Sequence, residues 1–220
     1  MRRLTLLLLL PFFSFEGSAQ NEYLDYKYSL SVNALFTHNL TSPYGLYEKT
    51  ASLSGMTSSF FIMTERRNQH EISLEQLSIG SSSYYYDENV LQSNRGLNVS
   101  LGYKYLFNFM KRKTSRWIPS VGLGAHVFYR TIDFSPTEAI PFIIRYRGGG
   151  LQFYVQPMIT CHINHRLYLN FSIPVNIATT ELRSDYYDNP EIPAEQRNIT
   201  VLKSNGFYQF QGKIGFGVKF

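Results

Sequence analysis

Five histidines carry the widest chemical range in this 220-residue chain: His38, His70, His126, His162 and His165. A hydrolase would need one of them to activate a serine, with a carboxylate orienting the ring. None sits in a local pattern that marks a nucleophile beside it. Serine is so common here that chance proximity to a histidine is expected. His162 and His165, at a spacing of three, could share a metal, but they flank a turn, and a turn at a membrane interface accounts for them as well. Cys161 is the single cysteine, so no intrachain disulfide forms. It lies in an apolar alternation and reads as a small outward-facing hydrophobe rather than a nucleophile. The chain is therefore read as non-enzymatic, with no cofactor and no metal ligand set.

The remaining reactive groups are charges spaced along polar faces. Glu71 and Glu75 alternate with Ile72 and Leu74. Lys104 lies among Tyr103, Tyr105 and Phe107, and His126 and Arg130 lie among Val127 and Tyr129. Lys213 and Lys219 alternate with Ile214, Phe216 and Val218. A period of two means a β-strand with two chemically opposite faces. Six of these residues, Glu71, Glu75, Lys104, His126, Arg130 and Lys213, are expected to form a polar network inside a narrow barrel. Buried ions need partners, so the expectation is a charge-paired plug rather than a pore. A narrow porin is the alternative.

The strands that must position these groups repeat along the whole chain. They are expected near residues 26–37, 52–66, 70–82, 97–107, 117–132, 148–162, 166–178 and 207–220. A phase slip near Leu77 and Ile79 suggests a bulge or a twist. Pro157 and Pro174 interrupt strand patterns, each removing a ladder donor. Residues 133–147 are read as a loop and 179–205 as the longest one. The connections after the odd-numbered strands look long and the others short, as in transmembrane barrels. Bulk hydrophobicity is only 44%, whereas 16% of residues are aromatic, which suits girdles at two membrane interfaces. Alternating faces hide the apolar signal in any window. The fold class expected is all-β, an eight-stranded antiparallel up-and-down transmembrane β-barrel.

Residues 1–19 read as a signal peptide, with Arg2 and Arg3 before an apolar run and Gly17-Ser18-Ala19 at a cleavage site before Gln20. Residues 20–220 are then the barrel. The formal charge of +5 is mild and basic residues do not form long tracts, so nucleic acid is a poor partner.

The final stretch, with Ile214, Phe216, Val218 and a terminal Phe220 on one face, resembles the closing strand of bacterial outer-membrane β-barrels. That resemblance implies an assembly signal read by the barrel assembly machinery. It also implies outer-membrane lipid as surroundings, and both mature termini on the periplasmic side. With Ser18-Ala19-Gln20 and eight alternating strands, the chain is similar to Bacteroidetes outer-membrane barrels, including PorT-like and OmpA-like eight-stranded groups. The resemblance implies an envelope component or an accessory of a surface-protein secretion apparatus, working through its outer loops. Barrels that modify lipid A or phospholipid supply the competing class.

Overall fold

In a computed structural model the chain is described over residues 24–39, 51–84, 91–112, 114–136, 141–206 and 209–220. Residues 1–19, read above as a signal peptide, lie outside these. Among the described residues, ten β-segments form one antiparallel sheet. They are β1 (Tyr28–Asn39), β2 (Ala51–Met63), β3 (Gln69–Tyr84), β4 (Leu91–Asn108), β5 (Trp117–Phe134), β6 (Ile144–His162), β7 (Leu167–Ser172), β8 (Val175–Tyr187), β9 (Asn198–Gly206) and β10 (Gln209–Lys219). β7 and β8 continue one another as the seventh stave, and β9 and β10 as the eighth. Each stave pairs with the next, and β10 returns to β1 from Ser29↔Lys219 to Asn39↔Gln209. The result is a closed eight-stranded up-and-down barrel, in which closure leaves no free edge along that seam.

Burial fixes which face is which. Along β1, Ser29, Ser31 and Asn33 are buried while Leu30 and Val32 are about half exposed. The same inversion runs round the barrel. Ser73, Glu75, Ser100, Lys104, Thr160 and Asn170 are inside, and Leu74, Leu101, Val127, Phe153 and Phe171 are outside. Water-soluble barrels do the reverse, burying their apolar face.

Apolar side chains do enter the lumen at defined levels. Phe61, Leu106 and Met158 cluster there, and Leu35 and Leu77 are fully buried. Leu77 explains the apparent phase slip in the third strand. The β2–β3 and β3–β4 registers run without a shift past it, so no bulge forms. The sequence changes the chemistry of the inner face there, not the phase of the strand.

The expected long loop over 179–205 is instead largely a hairpin. β8 runs to Tyr187 and pairs with β9 from Ala178↔Gly206 to Tyr186↔Asn198. Its charges look like loop chemistry, but Glu181 and Asp185 are buried on the inner face, where cations meet them. Likewise β5 extends to Phe134 and β6 starts at Ile144, narrowing the loop expected over 133–147. β3 and β4 pair out to Tyr84↔Leu91. The connection 85–90 is consequently shorter than 109–116, against the expected alternation of long and short connections.

The prolines act as expected, and they act together. Pro174 separates β7 from β8, and Ile173 donates its amide to the Pro157 carbonyl at 3.1 Å. The β6–β8 register shifts just beyond, between Phe153 and Tyr154. Three irregularities thus fall on one joint of the wall. The tight turn 64–68 places Arg67 at φ 58°, a left-handed conformation uncommon outside glycine.

Candidate functional site: a charge-paired lumen

The lumen gathers side chains from every stave. Glu71 and Lys104 are directly opposite in the β3–β4 register, and their ion pair measures 2.6 Å. Lys104 also donates to Gln156 Oε1 at 2.8 Å, while Ser59 Oγ donates to Glu71 Oε1 at 2.8 Å. Lys104 therefore reaches past β5 to bind β6. Lys213 crosses the lumen from β10 to pair with Glu75 on β3 at 2.7 Å, and Thr57 donates to the same carboxylate at 3.4 Å. The side chains of both ion pairs are all at least 94% buried. Such pairs are tolerated away from water only when geometry and extra hydrogen bonds compensate desolvation. Extra hydrogen bonds from Ser59 and Thr57 and to Gln156 supply the compensation here, and Lys213 donates directly to Glu75.

His126 is buried against Tyr154, with ring centroids 4.3 Å apart. Its ring fills the space left by Gly102, where even a Cβ would collide with the imidazole. That close approach is why glycine stands at 102 on the inner face. Arg130 lies further up and is about one-third exposed, with its guanidinium gripping the Glu181 carboxylate through two nitrogens. Beyond it Arg183 pairs with Asp185 and covers the Tyr146 ring.

The end at which β1 begins and β10 finishes is sealed differently. Lys219 Nζ contacts His162 Nδ1 at 3.1 Å and donates to the Asn164 carbonyl at 2.8 Å. Tyr168 donates to Ser29 Oγ at 3.2 Å. Tyr26, just ahead of β1, accepts from Gln69 Nε2 at 2.8 Å and sits edge-on to His162. Burial pushes the Tyr26 phenol above its ordinary range, and neighbouring Tyr168 pushes it further. In the middle of the lumen a cavity of about 10 Å³ is bordered by Asn33, Ser59, Glu71, Asn170 and Lys213 among others. That is about the space of one water molecule.

Glu71, Glu75, Lys104, His126 and Lys213 thus share the buried lumen, whereas Arg130 lies nearer its loop-bearing end. Sequence reasoning did not single out their partners Gln156, Ser59, Thr57, Tyr154 and Glu181. Each lies on the inward parity of its strand, which was the available signal. The histidines scatter: His70 faces outward with Nδ1 2.7 Å from the Tyr103 hydroxyl, His162 is buried, and His165 is exposed in the turn. The side chain of His38 lies outside the described residues. Among the described residues, no group of three His, Cys, Asp or Glu is placed to hold a metal ion.

The closing strand presents Ile214 and Phe216 outward, with Val218 half-buried. Phe220 follows it, largely exposed in its side chain, while its backbone bonds with Tyr28 and Lys27.

An apolar belt surrounds this polar interior. On β4 it runs from Phe107 to Leu97 and on β6 from Cys161 to Leu151, ten residue steps in each case. At ~3.3 Å per step and a tilt of ~40°, that is roughly 25 Å of height, the thickness of the lipid-facing band of outer-membrane barrels. Tyr28, Tyr103, Phe107, Phe109, Trp117 and Phe220 crowd the outside near the end at which β1 begins and β10 finishes. No helix among the described residues is long and apolar enough to cross a membrane, which says nothing of strands.

No family model matches this sequence, and no curated protein matches it. Solved structures do match in fold. Neisserial surface protein A aligns over 93% of this chain and 100% of its own, with a TM-score of 0.52 and 12% identity. A major outer membrane protein from Thermus thermophilus aligns over 89% and 100%, with a TM-score of 0.57 and 10% identity. The outer membrane protein OprG from Pseudomonas aeruginosa aligns over 92% and 99%, with a TM-score of 0.58 and 15% identity. The chain shares with them the eight-stranded antiparallel barrel of outer-membrane proteins, and at these identities the likeness extends to fold alone.

Proposed function

We infer that this chain is a non-conducting, non-enzymatic outer-membrane barrel that acts as a structural or partner-binding component of the cell envelope. The observation that carries this is the lumen. Lys104, Lys213, Arg130 and Arg183 are tied to carboxylates and the void beside Glu71 and Lys213 is the size of one water, so the interior serves cohesion rather than passage. The apolar belt then faces lipid, residues 1–19 are removed on export, both mature termini lie on the periplasmic side, and the loop-bearing end faces outward. Phe220 with Val218, Phe216 and Ile214 forms the strand offered to the barrel assembly machinery. The finer role, an accessory of a surface-protein secretion apparatus like the PorT-like Bacteroidetes barrels, is supported by the Ser18-Ala19-Gln20 segment and the terminal aromatic.

Planar-bilayer recording of the purified barrel tests the sealed lumen. Steady ohmic conductance from the wild-type protein overturns this reading in favour of a narrow porin. Mass spectrometry of lipid A and phospholipids from a deletion strain tests the non-enzymatic reading, and an altered lipid profile restored by the wild-type gene overturns it.

A further inference from the structure

The outward face above the apolar belt carries three arginines on nearby staves. Arg95 on β4, Asp133 on β5 and Arg145 on β6 lie in one register row, because Arg95 pairs with Asp133 and Asp133 with Arg145. Arg147 is two residues further toward the belt on β6, across from Thr131. Strands are ~4.8 Å apart, so the backbones of Arg95 and Arg145 are ~10 Å apart. Arg95 and Arg147 are exposed and Arg145 is half-exposed, leaning over the Tyr186 ring at 5.9 Å. Among the described residues no ion pair engages any of the three, and Asp133 is the carboxylate in their row. Counting these three arginines and Asp133, the described residues of the patch carry two positive charges in excess.

The level of this patch decides its chemistry. Leu97, Tyr129 and Leu151 are the last large outward residues of the belt on their staves, about half exposed. Arg95 precedes Leu97 by two residues, Arg147 precedes Leu151 by four and Arg145 by six, which puts their backbones roughly 5, 10 and 15 Å beyond the apolar band, with long side chains able to reach back toward it. This is headgroup depth. Between Arg147 and Leu151, Gly149 faces outward and leaves a notch in which an added Cβ would meet Tyr129 at 3.7 Å. Cations over a notch, with an unbroken apolar ladder below, match an amphiphile with an anionic head and acyl tails. Guanidinium groups suit phosphate, which they bind through paired hydrogen bonds.

We propose that Arg95, Arg145 and Arg147 form a docking site for the phosphorylated headgroup of a membrane lipid in the leaflet at the loop-bearing end. This rests on the outer-membrane reading above. Native mass spectrometry of the full-length mature barrel, released from mixed micelles containing diphosphoryl lipid A, tests it. The wild type should retain one lipid, and Arg95→Gln/Arg145→Gln/Arg147→Gln should bind it about 100-fold more weakly, at roughly fivefold per arginine near a charged surface. Arg147→Gln alone should lose about fivefold, and a heat-modifiable gel shift confirms that each variant is folded. Phosphatidylglycerol retained with the same arginine dependence supports the site as well. Equal retention of dephosphorylated lipid A, equal retention by the triple variant, or occupancy by inorganic phosphate while lipid is ignored would overturn it. A protein that fails to enter lipid vesicles at all refutes the membrane reading together with the site. One that enters them and binds lipid without regard to the arginines refutes the site alone.

Discussion

Replacing Lys104 by Met leaves Glu71 as a carboxylate inside the barrel without its cation. The two charges lie 2.6 Å apart. At an effective dielectric of 20, their attraction is about 6 kcal/mol, much of it cancelled by the cost of desolvating both ions. Removing one partner forfeits the attraction and keeps the cost for the other, so Lys104→Met should destabilise by about 3–5 kcal/mol. Ser59 still donates to Glu71 and moderates the loss, whereas Gln156 Oε1 loses its donor. The double variant Lys104→Met/Glu71→Leu removes both ions and should return to within about 1 kcal/mol of wild type, because apolar replacement of a buried pair is often neutral. Urea unfolding in lipid vesicles, followed by the fluorescence of Trp117, the single tryptophan, supplies the four free energies of the cycle. Loss of heat-modifiable mobility checks the same transition. A single variant within about 1 kcal/mol of wild type, or a double variant destabilised by the sum of the singles, would show that the pair does not hold the lumen together.

Gly217 faces inward near the end at which β10 finishes, where a Cβ would collide with the Tyr168 ring. Gly217→Ala should therefore cost about 1–3 kcal/mol through overpacking, read by the same urea titration; an unchanged midpoint would mean the ring moves freely. Deleting Phe220 removes the bonds to Lys27 and Tyr28 and should lower the heat-modifiable, membrane-assembled fraction in cells. Assembly at wild-type levels would deny the terminal residue a part in recognition. Arg130→Met should weaken the loop-bearing end, since Glu181 is buried, and should accelerate proteolysis within 188–197 while the midpoint of global unfolding moves less.

Most of the fold was legible because a barrel in lipid needs opposite chemistry on alternate residues, and alternation survives in the sequence even where bulk hydropathy cancels. It failed where one face changed character. Leu77 lies inside, so the apolar parity slips although the backbone does not. Glu181, Arg183 and Asp185 lie on a strand, but three charges within five residues read as loop until their inward partners are known. Glu71, Glu75, Lys104, His126, Arg130 and Lys213 could be found by parity alone. Which carboxylate each cation meets could not, because Lys213 and Glu75 are 138 residues apart and meet only once the sheet has closed. The arginine patch escaped for a similar reason: Arg95 and Arg145 become neighbours only through the register of a third strand.

The joint at Pro157 and Pro174 sets the order in which this wall comes apart. The β1–β10 seam, where the chain closes on itself, is a continuous ladder from Ser29 to Asn39. The ladder between β6 and the seventh stave is interrupted by the donor missing at Pro157, the break at Ile173 and Pro174, and a register shift within a few residues. Breathing motions will concentrate there, so amides around 173–177 should lose hydrogen-exchange protection before those of the closing seam. The mended circle is stronger at its weld than along one of its staves.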